Sequence, residues 1–297
     1  MSDAKRILGV IGGSGVYQMA ALKNPERVEM ETPWGAPSDV LVYGQLGGVE
    51  AVFLARHGAG HRLAPGDINY RANIDALKRA GVTDLISLSA CGSFREELSP
   101  GTFVIVDQFI DRTTAREKSF FGPGFVAHVS MAHPVCSALG DALEASCAAL
   151  DIGHARGGTY LAIDGPQFSS LAESNLYRSW GCDVIGMTNM PEAKLAREAE
   201  LPYVSVAMVT DYDCWREGEG AVEVGLILET LKKNTENAAR LVADVAVRLG
   251  PARTPSPHGI EATLDQAVIT APDARDPEMI RKLDAVAGRF LNSKSKQ

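Results

Sequence analysis

The stretch YVSVAMVTDYDCW, residues 203–215, decides how the chain is read. An apolar, β-branched run is followed at once by Asp211 and Asp213 on either side of Tyr212. This is the pattern of a strand that leaves the core and ends in a charged edge. Residues i and i+2 of a strand share a face, so both carboxylates look into one space if the extended geometry persists. Such a pair suits a metal site, an acid/base site or a solvated loop, and these residues alone leave the three open.

Working outward, short β-branched runs of the same kind are expected to form strands at 6–11, 40–43, 51–55, 84–89, 102–107, 159–163 and 183–185. Helical patterns fall between several of them. Residues 70–80 carry an apolar stripe at Ala72, Ala76 and Ala80 that ends at Gly81; 137–150, 170–180, 191–199 and 223–249 read the same way. After the proline-rich break GPARTPSPHG, residues 277–291 read as one last helix. The alternation predicts an α/β fold: a single domain with a mixed central β-sheet flanked by helices. Residues 1–250 form that domain, and 251–297 form a C-terminal extension with a terminal helix packed on it.

Composition narrows the function classes. The 297 residues are 45% hydrophobic and 22% charged, and 29 Lys+Arg against 37 Asp+Glu give a net charge of −8. That balance offers no general attraction to nucleic acid or an acidic membrane, so an anionic ligand needs a local site. No segment approaches the roughly 20 apolar residues of a membrane span, and the N-terminal apolar stretch is too short for a signal sequence. A cytoplasmic location is expected. Five scattered cysteines without C-x-x-C spacing suggest neither a disulfide framework nor a zinc site.

Three further motifs carry chemistry. GVIGGSGVY, residues 9–17, is a strand entering glycines, where bare backbone can approach an anion or simply turn; it fits neither the dinucleotide fingerprint nor a Walker loop. FLARHGAGHRLAP, residues 53–65, sets Arg56 and His57 at the end of an apolar strand, where open α/β sheets bind ligands. A guanidinium there suits bidentate contact with phosphate, and the histidine adds a donor. Metal binding by His57 and His61 needs a helix that Gly58 and Gly60 oppose. ISLSACGSFREEL, residues 86–98, offers Ser89, the Ala90 backbone and Ser93 as an anion cradle, with Cys91 as a core filler more than a nucleophile.

These motifs, with TPWGAPSD, NYRANIDALK, DQFIDRTTAR, DGPQFSSLAES and MTNMPEAKLAREA, stand in the order found in the trimeric purine nucleoside phosphorylases. The chain resembles that family, on its methylthioadenosine-cleaving branch, over residues 6–225. The resemblance implies a purine nucleoside phosphorylase-like fold, a cytoplasmic homotrimer, phosphate as co-substrate, and neither metal nor cofactor. It implies a phosphate cradle of Ser14, Arg56, His57, Ser89, Ala90 and Thr188. Met187 would lie beneath the ribose and Phe168 beside the purine, with His61 and Tyr212 also near the substrate and His128 reaching a neighbouring subunit's site. Asp211 would protonate the purine at N7 and Asp213 would accept from its 6-amino group. Ser169 and the absence of asparagine at 211 favour a 6-aminopurine, and Val224 offers an apolar wall to a methylthio group where nucleoside-specific relatives have histidine. The alternative within the family is a methylthioinosine or general purine nucleoside phosphorylase acting on 6-oxopurines. Two positions depart from the pattern: Gly186 replaces a common asparagine, and Asp164 a glutamate.

Overall fold

The computed structural model describes residues 5–13, 21–216 and 224–294. Its strands are β1 Ile7–Gly12, β2 Lys23–Val28, β3 Leu41–Leu46, β4 Val49–Ala55, β5 Asp84–Ser93, β6 Phe103–Val106, β7 Gln108–Asp111, β8 His154–Arg156, β9 Thr159–Ala162, β10 Val184–Gly186 and β11 Tyr203–Asp211. The helices are α1 Tyr70–Arg79, α2 Ser137–Ala149, α3 Leu171–Ser179, α4 Asn189–Glu198, α5 Val224–Leu249, α6 Leu264–Ala267, α7 Pro277–Lys282 and α8 Gly288–Lys294. All the strands join one mixed sheet.

β11 shows why its sequence is continuously apolar. Tyr203, Ala207 and Val209 pack in one core layer, with α1, α4 and the C-terminal segment. Val204, Val206 and Met208 pack in the other, against α2 and α5. A strand covered on both faces has no polar side to show, so hydrophobic residues run without alternation.

The sheet branches around β5. One edge of β5 pairs in parallel with β11 from Leu85 to Gly92. On the other edge, parallel β1 covers only Asp84 to Ser87, and antiparallel β10 takes over at Gly92 and Ser93. Between those two neighbours, residues 88–91 are unpaired along that edge. The gap opens the sheet in the middle of its longest strand and forms one wall of the cavity described below.

Several expectations need correction. β5 runs on to Ser93, so the ACGS segment is strand and not loop, and only its edge at residues 88–91 lacks a strand neighbour. β2, β7 and β8 were not expected. β2 reads KNPERV and pairs only with β3, and an exposed edge strand of that kind tolerates proline and charge. The last helix is two short ones, α7 and α8. The turns between them bury Leu283, Val286 and Ala287 in the same core layer as α1 and α4, so the chain breaks helical periodicity to place them.

The C-terminal segment also hydrogen-bonds to the body of the protein. His128 N–H donates to Ala267 O at 2.8 Å, and Arg289 binds Glu200 through two 2.7 Å bonds. The departure at Gly186 has a local cause: a Cβ there would lie 1.8 Å from the Tyr160 hydroxyl. Tyr160 fills the space that an asparagine side chain needs.

Candidate active site

A cavity of about 610 Å³ opens beside the unpaired segment of β5. Arg56, His57, His61, Ser89, Ala90, Phe168, Ser169, Met187, Thr188, Asp211 and Asp213 all line it, so residues up to 157 positions apart in sequence meet at one place. Two expected residues do not join them. Tyr212 is buried, and its hydroxyl donates to Glu96 O at 3.2 Å while Trp215 packs edge-on to its ring, which turns it away from the cavity. His128 is exposed and does not line the cavity of its own chain. Ser14 and the side chain of Val224 lie outside the described residues.

The anion end is built on Arg56, which is 1% exposed. Its Nε donates to Glu192 Oε2 at 2.7 Å and its Nη2 to Glu192 Oε1 at 3.1 Å. Nη1 donates to Leu88 O at 2.9 Å, and Nη2 also to Ser87 Oγ at 2.6 Å. The bidentate fork expected to face phosphate is therefore committed to a glutamate, and one Nη1 hydrogen remains.

His57 also differs from the expected donor. Its Nδ1 lies 2.9 Å from Leu63 O, and a carbonyl only accepts, so the ring hydrogen sits on Nδ1. Burial first, then the charges of Arg56, His61 and Arg116, push its pKa down to about 4 against the opposing pull of the Leu63 carbonyl. The ring is neutral at pH 7 and presents an acceptor at Nε2.

Behind this end, Asn189 ties the layers together. Its Nδ2 donates to Ser205 Oγ at 2.8 Å and Tyr203 Oη at 2.7 Å, and its Oδ1 accepts from Ser89 Oγ at 3.1 Å. Thr188 stands at the N-cap position of α4, and its side chain makes no capping bond there. Arg116 holds the floor: its Nη1 donates to Met187 O at 2.7 Å and Met190 O at 2.6 Å, and its Nη2 to Asp164 O at 2.9 Å.

At the opposite end, strand geometry stops at Asp211, and Asp213 takes a left-handed conformation with φ 55°. Aspartate tolerates that region through local side-chain bonding. Here the Asp213 N–H donates to Asp211 Oδ1 at 2.8 Å, which turns the second carboxylate back toward the first. Asp211 thus reaches the cavity from the last position of β11 and Asp213 from the tight turn after it, not by strand alternation. Gly92 makes room, since a Cβ there would lie 3.0 Å from Asp211 Oδ1.

The Thr210 hydroxyl lies 2.7 Å from Asp211 Oδ2 and 3.1 Å from Cys91 O. It has one hydrogen for two acceptors. Given to Cys91 O, it leaves its oxygen free to accept from a protonated Asp211; given to Asp211, it supports the carboxylate.

Asp213 is buried, and its Oδ2 has no hydrogen-bond partner; the Ser169 hydroxyl at the same wall has none either. Buried polar atoms on a cavity wall are costly until something bonds them. Burial, offset in part by the nearby Ser174 hydroxyl and reinforced by the charge of Asp211, raises the Asp213 pKa to about 6.

Residues missed in the sequence include Glu192, Arg116, Tyr160, Asn189 and Thr210, together with Leu231 and Thr235 of α5, which line the cavity. The only local signal was for Glu192, an acid in the first turn of the helix that follows Thr188. Among the described residues, no group of three His, Cys, Asp or Glu side chains is arranged to hold a metal ion, and no helix is long and apolar enough to cross a membrane.

The family model of the phosphorylase superfamily matches residues 7–247. An S-methyl-5'-thioadenosine phosphorylase of Cereibacter sphaeroides is 60% identical, the match covering 97% of this chain and 99% of the relative. One of Rhodospirillum rubrum is also 60% identical, over 98% and 100%. The crystal structure of a methylthioadenosine phosphorylase from an antarctic soil metagenomic library superposes with a TM-score of 0.90 at 46% identity, covering 96% of this chain and 99% of that one. A methylthioadenosine phosphorylase of Schistosoma mansoni in complex with adenine gives 0.81 at 36%, covering 87% and 96%.

The raised Asp213 pKa predicts a pH-dependent stability. Unfolded, this carboxyl titrates near 4. Between about pH 4 and pH 6 the folded chain holds a proton that the unfolded chain has released, so stability falls as pH rises and the full cost is present above pH 6. Asp213→Asn removes that cost. Urea unfolding at fixed protein concentration is expected to find the variant more stable than wild type by on the order of 2 kcal/mol at pH 7.5, with the gain vanishing near pH 4. A destabilised variant at pH 7.5 contradicts the assignment.

Proposed function

The chain belongs to the phosphorylase superfamily, and we propose that it cleaves 5′-methylthioadenosine with inorganic phosphate, giving adenine and 5-methylthioribose 1-phosphate. It is a nucleoside phosphorylase, a pentosyltransferase of purine and methionine salvage. The observation that carries the substrate is the meeting of two ends in one cavity: Arg56, Ser89 and Thr188 at one, the Asp211–Asp213 pair and Ser169 at the other.

In the reaction a phosphate oxygen bonds to C1′ while the C1′–N9 bond breaks and its electron pair passes to the purine. Adenine leaves poorly as an anion, so a proton supplied at N7 lowers the barrier. Asp211 supplies it and Asp213 bonds the 6-amino group. Desolvation and mutual repulsion oppose ionising both acids together. Ser89, the Ala90 backbone, Thr188, Ser14 and the free Nη1 hydrogen of Arg56 hold the phosphate. Holding a weak nucleophile against the anomeric carbon contributes several kcal/mol by orientation alone. Met187 underlies the ribose and Phe168 covers the purine. Phosphate is the co-substrate, and no further cofactor is required.

The assembly is a cyclic homotrimer in the cytoplasm, with α3 at the subunit contact. Only Ser174 and Tyr177 of α3 are buried, while Leu171 and Leu176 of the helix, with Trp180 after it and Phe168 before it, are exposed by 45–56%. An apolar helix face beside a substrate cavity is the kind of surface that a second copy covers. Sedimentation equilibrium is expected to give three times the chain mass; an active monomer at every concentration contradicts it.

The substrate assignment is tested by comparing kcat/KM for methylthioadenosine, methylthioinosine and inosine, each with phosphate. Methylthioadenosine is expected to lead by about 100-fold, since a 6-oxo group leaves the acids unmatched. A better rate with either 6-oxopurine, or adenine release without phosphate, contradicts it.

A further inference from the structure

The anion end of the cavity holds fewer donors than its residue types suggest. Three of the five Arg56 hydrogens go to Glu192 and Ser87 and a fourth to Leu88 O. His57 gives its ring hydrogen to Leu63 O at 2.9 Å, and the Leu63 N–H returns to His57 O at 3.0 Å, so the loop fixes the imidazole from both sides. The opposite ring nitrogen, Nε2, has no partner among the described residues, and the ring lines the cavity. His61 stacks on it with centroids 4.0 Å apart and planes 11° apart, which blocks one face. The charged and titratable groups around the ring are Arg56, His61 and Arg116, all of which oppose a second proton on it.

We propose that this end of the cavity selects an oxyanion carrying its own proton, and that His57 Nε2 is the acceptor that reads it. The inference rests on the phosphorolytic reading above and deepens it, because it specifies the protonation state of the co-substrate. Hydrogenphosphate brings a P–OH that donates to Nε2. Sulfate has the same shape and the same charge at neutral pH but brings only lone pairs, so one oxygen must face the Nε2 lone pair unbonded. Leaving acceptors on both sides unmet once the bound anion covers Nε2 is costlier than losing an ordinary hydrogen bond. Hydrogenarsenate carries the proton and falls with phosphate.

The test is isothermal titration of the full-length protein at pH 8 and constant ionic strength with inorganic phosphate, arsenate and sulfate, in wild type and in His57→Gln. In wild type, phosphate and arsenate are expected to bind at least about tenfold more tightly than sulfate. In His57→Gln, whose amide also offers a donor, that ratio is expected to approach one through tighter sulfate binding. General damage to the site would instead weaken all three anions together. Equal affinity for phosphate and sulfate in wild type overturns the inference and leaves the phosphorolytic reading intact, as does an unchanged ratio in the variant. Binding of no anion by wild type overturns both. The wild-type ratio needs no variant to fold.

Discussion

The buried pair of Arg56 and Glu192 is the constraint on which the rest of the site depends. Taking two full charges out of water is expensive, and such a pair persists only when both partners are well bonded. Here the guanidinium meets both carboxylate oxygens, a serine hydroxyl and a main-chain carbonyl, and Ser87 and Tyr203 complete the glutamate at 2.6 and 3.0 Å. The pair therefore locks β4, β5, β11 and α4 at a single point. With that lock in place Leu88 O is held by Arg56, and the unpaired edge of β5 beyond it is free to line a cavity.

The two ends of that cavity oppose each other electrostatically. In the proposed reaction cationic Arg56 and the fixed, neutral His57 face the anion, and Asp211 and Asp213 face the leaving group. Met187 and Ile185 add apolar surface to the lining. One end is under-satisfied before a ligand arrives, at Ser169 Oγ and Asp213 Oδ2. Protein interiors rarely leave buried polar atoms unbonded, so their coincidence in one cavity marks the places that a substrate completes.

Much of this was legible in the sequence because strand ends advertise themselves. The apolar run of β11 and the acids at its end pointed to both the sheet and one end of the cavity, and Arg56 was placed at the end of a buried strand, which stops at Ala55 just before it. What escaped was pairing across the fold. Nothing local tells that Arg56 meets a glutamate 136 residues later, or that Leu63 O fixes the His57 tautomer. Tyr212 looked like a reader of the substrate because it stands between two acids that line the cavity, yet its hydroxyl reaches Glu96 O. The polar edge strand β2 and the broken terminal helix were missed for a related reason: their form is set by the single neighbour or core layer they meet, not by their own periodicity.

The claim that the pair orients Arg56 for the anion is tested most directly by initial-rate kinetics of Glu192→Gln, a change that keeps the shape and removes the charge. Phosphate and methylthioadenosine are varied separately, with the other saturating. The account predicts that KM for phosphate rises by about tenfold or more, as a misplaced charge-assisted contact requires, while KM for the nucleoside stays within about twofold. An unchanged phosphate KM in a folded variant, or an equal rise in both constants, contradicts it.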